Sequence, residues 1–566
     1  MYICSLKPKL IQNMMKRIGL FCLLLTLSLV LHAQSFETAT QAVQNMGIGW
    51  NLGNTLDACS SGQQGLESEI YWGQPYTKPE LMQMLKKAGF GAMRIPVTWM
   101  NHMDSSGKVN AQWMARVHEV VDYVINAGMY CILNVHHDTG EGSSHWLHAS
   151  MTNYNQNKAK YEYLWQQIAN EFKDYDQRLL FESYNEMLDK YDSWCFATFA
   201  RSGGYNATDA ADAYNAINSY AQSFVNTVRA TGGNNAKRNL VVNTYGACNG
   251  YGTWNAHLKE PLTEMKMPND PAGAGHIAFQ IHAYPSIANL SSAKNEISQM
   301  FNDLNTYLVS KGGPVIVGEW GTSNVDANVP DYEADRAKYL EFVTYFVKKG
   351  KEKGAGLFYW MGISDNSDRS LPAFTQPDAA EAMLKAYYGN DYQPVLPTRD
   401  DFGESVYEVT YNSQWGELNL IKNAINTADY QRLELELTEA PAAGAFSLKV
   451  YDSGHYQSIS SANTTMTFNT GTMGNTISRI TLQSSAAGNK TTIKSVRLVK
   501  KDGTTVSGSI STFWGCTIEE KFVTAISPLS LPDDASANIY YDLQGRSTQH
   551  PTKGLYILNG KKVIIK

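Results

Sequence analysis

Short apolar runs rich in branched and aromatic residues alternate with longer amphipathic stretches from residue 34 to about residue 393. This rhythm constrains the chain more than any other feature, because it argues for βα units laid around a parallel sheet. Eight runs qualify as strands: 46–53, 92–97, 129–136, 179–186, 240–245, 276–284, 315–320 and 356–361. Eight is the number that closes a barrel, so the expected fold is α/β, a (β/α)8 TIM barrel. Between the runs, Val117, Val121 and Val124 form one apolar helical stripe. Ile297, Met300, Phe301, Leu304 and Leu308 form another at i, i+3, i+4 spacing. The connection after the fifth run, 249–275, is rich in Gly and Pro and predicts no helix.

In such barrels the loops that follow the strands build the active site. Polar residues collect where these strands end: Arg94 on the second, His136 and His137 on the third, Asn185 and Glu186 on the fourth. The sixth delivers His282 and Tyr284, the seventh Glu319 and the eighth Trp360. Such groups are costly inside a packed barrel unless they face a polar cleft. Glu186 and Glu319 are 133 residues apart, about three βα units of roughly 45 residues each, which sets them across the mouth from one another. Hydrolysis of a glycosidic bond needs such a pair, one carboxylic acid to protonate the leaving oxygen and one carboxylate on the opposite side. The acid of such a pair needs a raised pKa so that it still holds a proton near neutrality, and an ionised partner carboxylate nearby helps to raise it.

Charge and composition remove other classes. Lys and Arg total 47 against 53 acidic residues, a net charge of -6, without the basic excess that nucleic acid demands. Aromatics make up 11%, and flat rings suit stacking on sugar faces. The string His136, His137, Asp138, His145, His148 offers a rival reading as a metal site. Against it, adjacent histidines on a strand point to opposite faces, and the glycosidase reading needs neither metal nor cofactor.

Seven segments, "MGIGWNLGNTLDA", "GFGAMRIPVTW", "ILNVHHD", "LLFESYNEM", "IHAYPS", "VIVGEWGTS" and "LFYWMG", resemble in order and spacing the signatures of glycoside hydrolase family five, the cellulase-type barrel. The resemblance spans about 36–389. It implies an acid/base at Glu186, a nucleophile at Glu319 and a retaining mechanism. It further implies that Arg94 and Tyr284 orient the nucleophile, that Asn185 contacts the sugar 2-hydroxyl, and that His136 and His282 line the cleavage subsite. Trp360 matches the ring that stacks beneath the sugar, and His137 and Asn51 resemble glycone-side contacts. The chain departs from the family at Met187, where proline commonly follows Asn-Glu, and in the long segment 188–209. The implied activity is that of an endo-β-1,4-glucanase, with xyloglucan, mannan or mixed-linkage glucan as alternative substrates. A glycan-binding protein with an inactive barrel is the alternative of another class.

The ends of the chain read separately. Lys7, Lys9, Lys16 and Arg17 precede an apolar run at 18–31 and the small Ala33, the order of a secretory signal peptide occupying 1–33. The cysteines remaining after such a signal are five and scattered, which makes no disulfide framework; Cys131 reads as a buried thiol. The catalytic barrel is expected over 34–393 and a Pro-containing charged connector over 394–403. Alternating runs such as "YQRLELELTEA" and "FSLKVYD" then predict an antiparallel β-sandwich over 404–525. Trp415, Tyr451, Tyr456 and Trp514 are its candidate stacking rings, or alternatively part of its core. The tail, 526–566, resembles the C-terminal sorting domain of type IX secretion cargo. The expected partners are therefore a β-glucan or related polysaccharide and the secretion machinery, for an enzyme acting as a monomer at the cell surface or beyond it.

Overall fold

The computed structural model describes residues 36–141, 145–194, 205–252, 255–322 and 336–522, and the backbone of four short strands beyond them. The segment read as a signal peptide lies outside the described residues. Eight parallel strands close a barrel in sequence order: β1 (Ile48–Asn51), β2 (Ala92–Ile95), β3 (Tyr130–Asn134), β4 (Leu179–Glu182), β5 (Leu240–Asn243), β6 (Ile277–Ala283), β7 (Val315–Trp320) and β8 (Gly356–Tyr359). Their residues are buried almost without exception, since one side of each strand faces the barrel interior and the other the helices. Every barrel strand but β7 ends sooner at its carboxyl side than its apolar run suggests, β4 by four residues. Asn185, Glu186, His136 and His137 therefore stand on loops just past the sheet. Asn51 and Arg94 lie within β1 and β2, while β6 and β7 carry His282 and Glu319, which a register shift between Ile281 and His282 sets opposite each other.

The helices begin where side chains can take up their first backbone amides. Asn110 caps the helix Ala111–Asn126, Ser150 caps Met151–Glu171 and Asn289 caps Leu290–Tyr307. The two expected apolar stripes are buried against the barrel. After β5 the chain makes a 3-10 turn, Ala256–Lys259, and a single helical turn, Glu260–Thr263, consistent with the absence of a helical pattern there. A short helix, Ala39–Asn45, opened by a Thr38–Gln41 capping box, seals the barrel floor. Its Ala39, Ala42 and Val43 join an apolar cluster with Ile132, Leu180 and Phe358 from the barrel interior.

The first compact unit runs to Arg399 and the second from Asp400. The amide of Phe374 donates to the Pro397 carbonyl at 2.7 Å, and the Arg399 guanidinium meets Asp368 at 2.7 Å. Part of the segment expected as a Pro-containing, charged connector thus bonds to residues of the first unit.

The second unit is an antiparallel sandwich. One sheet orders Tyr456–Ser460, Phe446–Asp452, Thr476–Ser484, Glu417–Asn419 and Ser511–Trp514. The other orders Thr465–Asn469, Tyr430–Leu437, Lys490–Lys500, Ser405–Tyr411 and Cys516–Phe522. Alternation sends Leu433, Leu435, Leu448, Val450, Ile480 and Leu482 into a common core. In the tail, Gly554–Leu558 pairs antiparallel with Lys561–Ile565; the rest of 526–566, apart from two further short strands, lies outside the described residues.

Candidate active site

Arg94 is the hub of the barrel mouth. It is fully buried, and β2 aims it into the interior two residues above Ala92. Its Nε and Nη2 donate to the two oxygens of Glu182 at 2.7 and 2.8 Å, a bidentate pair with no exposed side-chain surface. Its Nη1 donates to Glu319 Oε1 at 2.8 Å and to Asn51 Oδ1 at 3.0 Å, and Nη2 also reaches Asn185 Oδ1 at 2.8 Å. The second oxygen of Glu319 accepts from the Tyr284 hydroxyl at 2.7 Å.

Across the mouth, Nδ1–H of His282 donates to Glu186 Oε1 at 2.7 Å and lies 3.5 Å from Glu319 Oε2. Oxygens of Glu186 and Glu319 thus share one imidazole and approach within 4.8 Å. The two carboxyl groups nonetheless differ in character. Burial raises Glu186 above its ordinary value and the Glu319 charge adds to this, with His282 and Arg94 opposing. Burial would also raise Glu319, but His282, Arg94 and the Tyr284 hydroxyl outweigh it and hold Glu319 below its ordinary value. Burial and the nearby carboxylates push Tyr284 well up, so its hydroxyl stays a donor.

Two histidines and an aromatic wall complete the mouth. The Asn134 amide nitrogen, which can only donate, lies 3.0 Å from His136 Nδ1. Burial keeps His136 neutral, so its proton sits on Nε2, 3.9 Å from Glu319 Oε1. The Trp360 ring is parallel to His136, with centroids 6.0 Å apart. Gly53 makes room for it, since a Cβ there would come within 2.7 Å of the Trp360 ring.

Most residues expected at the site converge there, with two corrections. Asn51 is fully buried; its amide donates to the Gly318 carbonyl at 2.8 Å and its oxygen accepts from Arg94. It braces Arg94 from below and has no surface to offer a sugar. His136 and His137 do not point to opposite faces. Their rings stand 4.5 Å apart at 88°, because the chain has left β3 at Asn134 and strand alternation no longer applies. The proposed metal string does not assemble either, since Asp138 accepts from the Trp99 amide and the Trp146 indole. The ligand-type atoms that do converge among the described residues are those of Asp57, His136 and His137, and separately Glu186, His282 and Glu319. Asp57, pushed up to about 6 by burial, already accepts from the amides of Asn54 and Thr55. Glu182, Asp57 and Trp72, whose ring meets His137 edge-on at 5.2 Å, were not singled out by the sequence. The available signal for Glu182 was a charged residue closing an otherwise apolar run.

Two carboxylates of opposite character at the carboxyl end of a parallel barrel define a glycoside hydrolase as a class. Comparison with known proteins narrows this. Residues 54–366 match the family described as Cellulase (glycosyl hydrolase family 5), and the chain belongs to that family. A GH5-4 broad specificity endoglucanase from an uncultured bacterium is 59% identical, covering 63% of this chain and 98% of that one with a TM-score of 0.61. A family 5 glycoside hydrolase from Prevotella bryantii, in complex with a xyloglucan tetradecasaccharide, is 41% identical over 62% of this chain and 99% of that one, with a TM-score of 0.56. Among characterised sequences, Endoglucanase B of Neocallimastix patriciarum is 35% identical over 366 residues, 61% of this chain and 69% of that protein.

Proposed function

We propose that the chain is a retaining endo-β-1,4-glucanase in which Glu319 is the nucleophile and Glu186 the acid/base. The observation that carries this is that an oxygen of each carboxylate and one nitrogen of His282 all lie within 4.8 Å of one another, a closeness that favours direct attack over the wider spacing an inverting enzyme needs to seat a water between its carboxyl groups. Their environments fit the division of labour: Glu319 is held ionised by Arg94 and Tyr284, whereas Glu186 is raised towards the protonated form. In the first step Glu186 gives its proton to the glycosidic oxygen as Glu319 bonds to the anomeric carbon and the C–O bond to the leaving sugar breaks. In the second, Glu186 takes a proton from water, the water oxygen bonds to the same carbon, and Glu319 leaves as carboxylate. With its oxygen held by Arg94, Asn185 presents its amide nitrogen to the sugar 2-hydroxyl, and Trp360 supplies the stacking face beneath the ring. Early-time NMR of the product is the test. A β-anomer formed first is expected; an α-anomer would make Glu319 a base for water.

The substrate is a β-1,4-linked glucan backbone, with xyloglucan and mixed-linkage glucan also cleaved. Supporting this breadth, the related structures include a broad specificity endoglucanase, a xyloglucan complex and a lichenase from Caldicellulosiruptor. Product lengths from a panel of glucans and mannan would order the preferences.

The enzyme is exported, through cleavage of the leader after Ala33 and recognition of the tail as a type IX sorting domain. The supporting features are the basic-apolar-small order of the leader and the short strands of the tail with their basic finish, Lys561, Lys562 and Lys566. Truncation after Ala525 in the native host should leave activity intact and strand it in the periplasm; unchanged export would refute the sorting role.

A further inference from the structure

The first sheet of the sandwich has an outer face unlike an ordinary solvated one. Leu418, Leu448, Val450, Ile480 and Leu482 point into the core, so the residues alternating with them point outwards. Among these, Tyr456 is paired directly with Tyr451, Tyr451 with Arg479, and Glu417 with Trp514, and directly opposed residues share a face. Arg479 lies between two rings, 4.1 Å from the centre of Tyr451 and 4.4 Å from that of Phe513. Glu417, 9% exposed, accepts from the Tyr451 hydroxyl at 3.1 Å, Thr481 at 3.1 Å and Gln483 at 2.8 Å, with Arg479 at 3.9 Å.

This network holds the face rigid while leaving large rings in water. Tyr456 is 55% exposed, Phe513 47% and Trp514 50%. Beside them Trp415, also 55% exposed, has a backbone φ of 66°, a conformation that bulky residues rarely adopt. Its neighbour Gly416 packs so tightly on Gly515 that a Cβ would meet the Gly515 carbonyl oxygen at 2.6 Å. Strain and exposure on the same edge are the pattern of a surface kept for a ligand rather than for the core.

We propose that this face is a second glycan-binding site, whose ligand is a neutral β-linked glucan chain lying across the strands. Flat rings match the apolar faces of sugars with equatorial hydroxyls, and the amide, hydroxyl and guanidinium groups between them match the hydroxyls. The rings are separated by the hydrogen-bonding groups of Glu417, Thr481 and Gln483 and form no continuous apolar patch, which disfavours a lipid surface. The cation of Arg479 stands against Glu417 and the chain's net charge is -6, which disfavours a polyanion. The same chain carries a catalytic unit of a polysaccharide-cleaving family, and a tethered site for that polymer raises its effective concentration at the barrel.

The test uses the full chain carrying Glu319→Gln to stop hydrolysis, and reads its partition onto insoluble cellulose with and without the double change Phe513→Ala, Trp514→Ala. Loss of two stacking rings should weaken partition by about tenfold. Tyr456→Ala, at the opposite edge of the sheet, should weaken it less but in the same direction, and this exposed position guards against misreading a folding defect. In the active enzyme the same changes should leave kcat/KM on a soluble glucan within twofold. Unchanged partition in both variants would overturn the proposal. So would an equal fall on soluble substrate, which would make the face a support for the barrel, or preferential binding of polygalacturonate, which would make the ligand anionic.

Discussion

Two layers of the barrel interior lie two residues apart along strands β2 to β6. On the floor side stand Ala92, Ile132, Leu180, Val241 and Ala278, in one apolar cluster. Two residues further on, and therefore on the same face, stand Arg94, Asn134, Glu182, Asn243 and Gln280, all fully buried. The floor gains its stability from packing that any well-shaped apolar set would supply. The upper layer buries charge that is tolerated through mutual pairing, and on it rest the two glutamates of the mouth. The difference teaches that stability and chemistry are divided within single strands, and that changes two residues apart should separate them.

The largest effect belongs to the top of this arrangement. Glu319→Ala should lower turnover on every substrate by about four orders of magnitude or more, with partial rescue by azide. Melting temperature should hardly fall, since the proposed nucleophile lies at the cleft and its loss leaves Arg94 bonded to Glu182. A variant that unfolds instead would show that the mouth carries the fold, and the division would be lost. Glu186→Ala should cost about 10²- to 10⁴-fold on polysaccharide while still being glycosylated by aryl glycosides with good leaving groups; equal losses on both substrates would mean that the roles are reversed.

The floor should behave in the opposite sense. Phe358 is fully buried in the apolar cluster beneath the site, so Phe358→Ala should cost about 3–5 kcal/mol of stability. Its kcat/KM, measured well below the lowered melting point, should stay near that of the parent. Loss of activity without loss of stability would break the comparison from its other side.

A subtler test is the pH profile. As the proposed nucleophile Glu319 must be ionised, and its value is lowered, so activity on the acid side should fail only as pH drops through that lowered value. As the proposed acid Glu186 must be protonated, and its value is raised, so activity should fail as pH climbs through it. The resulting bell should lose its alkaline limb in Glu186→Ala acting on an activated substrate. A limb that persists there would belong to another group.

The sequence made the barrel legible because eight buried strands leave eight apolar runs, and it made the mouth legible because polar residues at strand ends have few reasons to be there. It did not reveal Glu182, although it closes the same apolar run that leads to Glu186. Which polar residue of a strand faces the interior depends on where the strand ends, and the apolar run overstated that by several residues in β4. The same overestimate in β3 made His136 and His137 look like strand neighbours on opposite faces. Asn51 was misplaced for a related reason: a resemblance locates a residue along the chain, but whether its amide meets sugar or the Gly318 carbonyl is decided by depth in the barrel.

Gln280 supplies the smallest and sharpest test. It belongs to the upper layer by position on β6, yet neither its amide nitrogen nor its oxygen makes a hydrogen bond within the protein, while Asn134 and Asn243 both donate to Glu182. A buried amide without partners costs about 1–3 kcal/mol. Gln280→Met keeps the length of the side chain and removes the polar atoms, so it should raise stability by about 1 kcal/mol, visible as a shift of a few degrees in melting temperature. Activity should be unchanged, because Gln280 makes no hydrogen bond to Arg94, Glu186 or Glu319. A loss of stability would mean that water bridges the amide into the network above it, and a loss of activity that the polar layer works as one piece around the whole barrel; either would move the boundary between stability and chemistry down by one residue on this strand.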